Sequence, residues 1–262
     1  MRRVETKERN IRMEAFYECL LKVQPQDTDS TGRLKVNCMF NYVQDMAVTH
    51  AERMGVGLGD VLKRGMSWVI SWARLEFTSL PRLGDEFQGK TWPKCEQKLF
   101  SIRDFLFFDG RGDIFCRATT AWLLVDLQRK KAVSAHRLRE DVPYRYAESA
   151  LDCLPEKFRT REDAQPVNTR VVRYSDVDFN HHVNNARYVE FLTDCFDLEY
   201  HLRHQVKAMT VSFVSEAKYG DQIQFRMCNG TGKGSSYFVE GCDAGAGNPL
   251  IQASIEWTPR EN

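Results

Sequence analysis

An acid, an amide and an imidazole alternate along one polar tract of the chain. In the run SDVDFNHHVNN (residues 175–185) these side chains are Asp178, Asn180 and His182, one at every second residue. A carboxylate can act as a base or a nucleophile, an amide can hold water, and an imidazole can exchange protons near neutral pH. If the three side chains converge, they predict a hydrolytic site. If they do not, the tract is a polar loop that caps a helix.

A helix-start signal follows this tract directly. From Asn185 to His201 apolar residues such as Val189 and Leu192 recur at helical spacing, so we predict an amphipathic helix there. The N-terminus of such a helix carries free N–H groups and a partial positive charge, which can stabilise a developing oxyanion without a metal. We expect Asn184 and Asn185, at this end, to contact the substrate.

The first half of the chain has the same order of elements. Residues 37–53 place apolar side chains on a helical stripe, with Asn37 as the predicted N-cap. Runs rich in aromatic and β-branched residues, which are typical of strands, follow both helices. The predicted strands cover residues 68–78, 89–94, 99–108, 114–126, 208–214, 222–227, 236–242 and 250–257. Each half is therefore predicted to be an antiparallel sheet wrapped around one long helix, an α+β fold.

A residue-by-residue match between the halves supports a duplication. The run RLEFTSLPRLGDEF at 74–87 aligns with TVSFVSEAKYGDQI at 210–223, so that their Gly-Asp pairs coincide. In this alignment Leu80 takes the place of Glu216. Charge and prolines between the halves indicate a linker. We predict an N-terminal domain at 1–135, a linker at 136–166 and a C-terminal domain at 167–262.

The composition argues against several classes of function. A formal net charge of +1 gives no overall attraction to nucleic acid or to an anionic membrane surface. No apolar run approaches the ~20 residues that a transmembrane helix needs. The first residues resemble neither a signal peptide nor a transit peptide, so a cytoplasmic location is the simplest expectation.

The cysteines and the remaining histidines show no pattern of a metal site. Eight cysteines without a C-x-x-C pair fit free thiols, and we interpret Cys195 and Cys228 as buried thiols. His201 and His204 have the spacing of one helix face but lack a third ligand, so a solvated helix end is expected. We predict no metal and no other cofactor.

The tract SDVDFNHHVNNARYVEF strongly resembles the active-site tract of plant-type and bacterial acyl-acyl-carrier-protein (acyl-ACP) thioesterases. The runs WVISWARLEFTSLPRLGD and RDFLFFDGRGDIFCRATTAWLLVDLQRKK resemble further parts of that family, so the likeness covers most of the chain. The resemblance implies two hotdog folds in tandem. It also implies hydrolysis of fatty acyl-ACP, which releases free fatty acid and terminates fatty acid synthesis.

The resemblance also assigns roles to individual residues. The family's catalytic aspartate, asparagine and histidine fall on Asp178, Asn180 and His182, and its catalytic glutamate falls on Glu216. Many plant members have a cysteine after that glutamate, but this chain has Ala217, which excludes a cysteine nucleophile there. Asp178 would activate water or attack the carbonyl itself, and Glu216 would orient the water. Which carboxylate is the base stays open.

Each of these residues also has a structural explanation when taken alone. Asp178 can cap a helix or close a turn, and Asn180 is typical of turns. An isolated histidine is more often structural than catalytic, and an isolated strand glutamate is usually solvated. The four matches at family spacing favour the catalytic interpretation.

The first half lacks this set of residues. Its run QDTDSTGRLKVNCMF keeps Asp27 and Asp29 but contains no histidine. By resemblance, the pocket that measures acyl-chain length lies in this half, where the apolar helix face could line a tunnel. Core packing explains the same residues equally well. The predicted substrate-binding residues of this half are Met39, Tyr42, Val43, Met46 and Trp68.

The expected partner is an acyl-carrier protein, which is acidic and needs a locally basic docking surface. Residues 129–131 and 137–139 are the candidates, although basic residues on a turn are usually just solvated. Assembly into a homodimer is a further alternative that the sequence leaves open.

Three other functions compete with this interpretation. A hotdog hydratase would need Asp-x-Asn-Pro with histidine five residues after the aspartate, whereas here no proline follows Asn180 and His182 lies four residues after Asp178. An acyl-CoA thioesterase would share the chemistry but is often a single-hotdog oligomer. A non-catalytic acyl-thioester sensor would not need all four polar residues. Tandem organisation and length favour the carrier-protein enzyme.

Overall fold

The chain folds as two successive sets of helices and strands, seen in a computed structural model that describes residues 15–138, 148–230 and 235–260. Among these residues no helix is long and apolar enough to span a bilayer. The first set comprises β1 (Tyr17–Lys22), α1 (Val36–Arg53), α2 (Leu58–Leu62), β2 (Met66–Phe77), β3 (Glu86–Gln97), β4 (Phe100–Phe108), β5 (Ile114–Asp126) and β6 (Lys131–Val133). The second comprises β7 (Gln165–Val171), α3 (Asn185–Thr193), α4 (Leu198–Arg203), β8 (His204–Phe213), β9 (Gln222–Asn229), β10 (Ser235–Asp243) and β11 (Pro249–Pro259).

All of these strands belong to one antiparallel sheet. Its strand order is β1-β3-β4-β5-β2-β8-β11-β10-β9-β7, and β6 pairs with β5. The halves meet where β2 pairs with β8, with Leu75 opposite Met209. Antiparallel strands with helices packed against them confirm the predicted α+β class.

Helices α1 and α3 bury their apolar sides in one core. Met39 of α1 and Val189 of α3 are fully buried members of the same hydrophobic cluster. Burying a side chain of this size contributes about 1.5–3 kcal/mol. Gly89 of β3 allows α1 to approach closely, because a Cβ there would lie 2.6 Å from Met46 Sδ. The apolar residues that recur at helical spacing in the sequence therefore form the contact between helix and sheet.

Two predicted helix boundaries are wrong. Helix α1 begins at Val36, and Asn37 lies inside the helix instead of capping it. The predicted helix at 185–201 is two helices, because Asp197 caps a new one: its carboxylate accepts the Tyr200 N–H at 2.7 Å.

The sequence patterns missed β1, and they predicted a strand and loop at 171–178, where β7 has already ended at Val171. β1 and β7 lie at opposite ends of the sheet. Among the described residues, β1 pairs only with β3, and β7 pairs only with β9. Pro166, which was assigned to the linker, lies in β7. An edge strand tolerates proline because one side of the strand needs no N–H donor.

The segment between the halves packs against the sheet where the structure describes it. The Ala150 N–H donates to the buried Asp104 carboxylate at 2.8 Å. Further along, the Phe158 ring lies 5.9 Å from that of Phe238 in β10. The segment therefore touches both halves. Residues 139–147 of the predicted linker lie outside the described residues.

A loop with the same hydrogen bonds precedes each of the helices α1 and α3. In the first half the Asp29 N–H donates to the Arg33 carbonyl at 2.8 Å, and in the second the Asp178 N–H donates to the His182 carbonyl at 2.9 Å. The duplication inferred from the sequence therefore extends to backbone hydrogen bonding. Arg33 stands where the second loop has its histidine.

Candidate active site

The loop that carries the candidate residues is a tight turn. Asp178 Oδ1 accepts the Asn180 N–H at 2.8 Å, which forms an Asx turn, and an isolated β-bridge closes the loop. His181 has a left-handed φ of 64°, and its side chain is exposed to solvent. The tract is not extended, so its alternation does not place the three polar side chains on one face of a strand.

The fold brings His182 against Glu216, which lies on the loop after β8. His182 Nε2 and Glu216 Oε2 are 3.1 Å apart, and the two side chains are 27% and 61% exposed. A neutral imidazole donates from Nε2 in such a contact, and its Nδ1 is then the acceptor. The arrangement is a carboxylate that orients an imidazole, and such an imidazole can take up a proton.

Asp178 and Asn180 lie in the same turn as His182. Within the described residues, neither side chain hydrogen-bonds to His182 or Glu216. The Asp178 carboxylate is half-buried and engaged by the turn, whereas the Asn180 side chain is exposed. The structure thus places His182 in direct contact with Glu216. It holds Asp178 and Asn180 on the turn that precedes His182.

Helix α3 begins immediately after this turn. Asn184 Oδ1 accepts the Ala186 N–H at 2.9 Å, and the Asn184 carbonyl accepts the Arg187 N–H at 3.0 Å. Two N–H groups that were expected to be free are therefore used within the helix cap. Asn185 donates through its side chain to Gln44 of α1 at 3.0 Å. Both asparagines have partners in the protein, and their contact with substrate stays a prediction.

A buried aspartate that sequence reasoning missed anchors the loop. The carboxylate of Asp176 accepts the Arg173 N–H at 2.8 Å, Arg187 Nη2 at 2.9 Å and Arg170 Nη2 at 3.5 Å. Burial opposes ionisation, yet the Arg173 hydrogen bond and the two guanidinium groups keep the pKa of Asp176 below its usual value. The Asp176 carbonyl also accepts the Asn184 N–H at 2.9 Å. The only sequence signal for Asp176 was its position two residues before Asp178.

The predicted substrate-binding residues of the first half are divided between two clusters. Three are buried in the main core: Met39, Val43 and Met46. Tyr42 packs against the same core, and its hydroxyl donates to Asp27 at 2.6 Å. Trp68 packs in a separate cluster and donates through Nε1 to the Val56 carbonyl at 2.9 Å. Packing and hydrogen bonding account for all five, and their role in an acyl tunnel stays a prediction.

The cysteines and histidines outside this loop form no second site in the part of the chain that the structure describes. There, no group of three or more His, Cys, Asp or Glu residues could hold a metal ion. Cys195 and Cys228 are half-buried rather than fully buried, and burial raises the pKa of the Cys195 thiol to about 12. His201 and His204 each contact a main-chain carbonyl.

Comparison with protein families covers nearly the whole chain. Residues 14–145 match the family model described as the acyl-ACP thioesterase N-terminal domain. Residues 159–259 match the model described as the acyl-ACP thioesterase C-terminal domain.

The sequence identity to individual relatives is low. A chloroplastic acyl-[acyl-carrier-protein] hydrolase of Cuphea viscosissima is 23% identical over 241 residues, which are 86% of this chain and 58% of that protein. A chloroplastic palmitoyl-acyl carrier protein thioesterase of Arabidopsis thaliana is 25% identical over 224 residues, which are 80% of this chain and 52% of that protein. The chain thus spans less than two thirds of the length of these relatives.

Two solved structures have the same fold. An acyl-ACP thioesterase from Bacteroides thetaiotaomicron superposes with a TM-score of 0.86 at 24% identity, covering 93% of this chain and 98% of that one. A 12:0-ACP thioesterase from Umbellularia californica superposes with a TM-score of 0.81 at 21% identity, covering 94% and 98%.

Proposed function

Because the chain belongs to the acyl-ACP thioesterase family, we propose that it hydrolyses the thioester of fatty acyl-acyl-carrier protein, releasing free fatty acid and terminating fatty acid synthesis. The observation that carries this proposal is the 3.1 Å contact between His182 and Glu216, beside the turn that holds Asp178 and Asn180. This contact joins two separate segments of the chain next to the start of a helix.

The chemistry needs an activated nucleophile, stabilisation of the carbonyl oxygen and release of a thiol. Glu216 would orient the His182 imidazole and the attacking water, and Nδ1 of that imidazole could take up a proton from the water. The partial positive charge at the start of α3 would stabilise the developing oxyanion, since the Ala186 and Arg187 N–H groups are used within the cap. A simple thiol has a pKa of about 8.5, so its departure needs little acid assistance.

Asp178 would have one of two roles. It would activate water, or its carboxylate would attack the carbonyl and expel the thiolate, forming a mixed anhydride that water then cleaves to the fatty acid and the free carboxylate. Asn180 would fix the reacting carboxylate or the water through its amide. Turnover in ¹⁸O-labelled water separates the two routes, because only the anhydride route can leave the label in the Asp178 carboxylate.

The two halves would divide the work. The first domain (1–135) would hold the acyl chain, the second (167–262) would carry the reacting groups, and residues 136–166 would link them. The acidic carrier would dock near basic residues: Arg129 and Lys130 are exposed on the turn between β5 and β6, and Lys131 is exposed at the start of β6. The region 137–139 lies partly outside the described residues. A homodimer, measurable by sedimentation, and a cytoplasmic location, measurable by fractionation, stay predictions.

The test is hydrolysis of a panel of acyl-ACPs and acyl-CoAs, followed by release of free thiol. We expect acyl-ACP to be preferred, and we expect Asp178→Asn and Glu216→Gln each to lower kcat by about 100-fold or more, as for loss of a general base. Glu199→Gln is the matched control, since this carboxylate is 79% exposed on α4 and pairs with Arg203.

Three outcomes would count against the proposal. Undiminished hydrolysis in both Asp178→Asn and Glu216→Gln would refute the mechanism. Preference for CoA esters would refute the substrate carrier and favour an acyl-CoA thioesterase. Binding of acyl thioesters without any hydrolysis would instead favour a sensor.

A further inference from the structure

Ala217, the residue that follows Glu216, is hydrogen-bonded through both its N–H and its carbonyl. The Ala217 carbonyl accepts the Val183 N–H at 2.9 Å, and Val183 is the residue after His182. The Ala217 N–H donates to the Tyr188 hydroxyl oxygen at 3.0 Å. Ala217 therefore links the loop of Glu216 both to the loop of His182 and to helix α3.

Tyr188 is itself fixed in place. It lies on α3, is 3% exposed, and packs edge-on against Phe191 of the same helix and Phe213 of β8, with ring centroids 6.2 and 6.4 Å away. Burial raises the pKa of its hydroxyl, so the group is a neutral phenol whose oxygen accepts the amide proton. Because the Tyr188 ring is fixed by packing, its buried hydroxyl oxygen fixes the position of the Ala217 backbone next to Glu216.

The first half of the chain provides an internal comparison. There the Leu34 N–H donates to the Pro81 carbonyl at 2.8 Å, which is the same bond as that from Val183 to Ala217. Proline has no N–H to donate. Met39 occupies the position of Tyr188, as its N–H bond to the Lys35 carbonyl shows, and it has no hydroxyl to accept. The half without the polar set thus lacks both partners of this hydrogen bond.

We propose that Tyr188 is a positioning residue for Glu216: its hydroxyl holds the backbone of Ala217 so that the Glu216 carboxylate meets His182. The inference rests on the proposed function, in which that contact is used for catalysis. Tyr188 does not touch the reacting atoms and acts through Glu216. Leu80, the first-half counterpart of Glu216, is buried, whereas Glu216 is exposed at the site.

The first test is Tyr188→Phe, which keeps the ring and removes the acceptor. We expect kcat for acyl-ACP to fall about 10-fold, the factor that the loss of one hydrogen bond supplies, while KM stays within about twofold. In a Glu216→Gln background the same substitution should lower kcat no further. A further fall of equal size there, or unchanged kcat in the Tyr188→Phe single variant, would overturn the inference.

A second variant guards against simple misfolding. Tyr188→Met combined with Ala217→Pro installs the pair of residues that the first half uses in the same loop. It should fold, show the same fall in kcat and remain as stable as Tyr188→Phe in thermal unfolding. Tyr200→Phe, which removes a hydroxyl from α4, is the control that should retain wild-type kcat. Full activity in the double variant would contradict the role of this hydrogen bond.

Crystal structures of the variants separate this inference from the proposed function. We expect the distance between His182 Nε2 and Glu216 Oε2 to increase beyond about 3.5 Å in Tyr188→Phe, which is outside hydrogen-bonding range. An unchanged distance of 3.1 Å would overturn the positioning role whatever the activity. If the wild type hydrolyses no thioester, the proposed function fails, and this distance alone decides the role of Tyr188.

Discussion

Replacing Asp176 with asparagine tests how the loop of the candidate site is anchored. The Asp176 carboxylate is fully buried, and it accepts one backbone N–H and the guanidinium groups of Arg170 and Arg187. Asparagine keeps the volume and one acceptor oxygen, so the Arg173 N–H can stay bonded. The substitution therefore removes mainly the charge that the two arginines share.

The expected loss of stability follows from the exposure of the partners. Breaking a fully buried ion pair costs about 3–5 kcal/mol, whereas exposed pairs contribute about 0–1 kcal/mol. The Arg170 and Arg187 side chains are 30% and 31% exposed, so water can solvate them once Asp176 is neutral. The Arg170 contact is also long, at 3.5 Å. We expect Asp176→Asn to lower the free energy of unfolding by about 2 kcal/mol at neutral pH.

The pH dependence provides a second signature. The folded protein lowers the pKa of Asp176, so its ionisation stabilises the fold above the unfolded pKa of about 3.9. That contribution is lost as the pH falls below this value and through the folded pKa. The gap in stability between wild type and Asp176→Asn should therefore shrink below about pH 4.

Urea denaturation at several pH values measures both effects. Asp194→Asn is the matched control, because its carboxylate also contacts Arg170, at 3.2 Å, but is 47% exposed, and its loss should change stability by less than about 0.5 kcal/mol. A cost for Asp176→Asn no larger than that of the control, or a gap that persists in acid, would refute the assignment of Asp176 as a buried anchor.

Three further predictions concern other parts of the fold. Since burial raises the pKa of Cys195 to about 12, iodoacetamide should leave this thiol unlabelled in the folded protein, and mass spectrometry showing rapid labelling would contradict this. Gly89→Ala would place a Cβ 2.6 Å from Met46 Sδ, so thermal unfolding should show a loss of about 1–3 kcal/mol that Met46→Ala partly relieves. Arg260→Ala would remove the guanidinium group that lies 2.7 Å from the Asp29 carboxylate. Urea denaturation should show that the free energy of unfolding falls by about 2 kcal/mol, and unaltered stability would argue against a stabilising ion pair.

Local patterns predicted the regular elements well where one face is buried. The strand predicted at 114–126 is β5, with the same bounds, and the predicted helix at 37–53 begins only one residue late. The patterns missed β1, because the run YECLLK owes its strand to pairing with β3 at the sheet edge. They also predicted one helix in place of α3 and α4, because apolar residues continue at helical spacing across the N-cap at Asp197.

The sequence by itself determined the residue types of the candidate site, the duplication and the absence of a histidine from the corresponding loop of the first copy. These features depend on identity and spacing, which can be read along the chain. Only the tertiary structure decided that His182 meets Glu216, that Asp176 anchors the loop and that Tyr188 bonds the Ala217 peptide. Those contacts join distant segments, and their geometry depends on how α3 packs against the sheet, which no local spacing encodes.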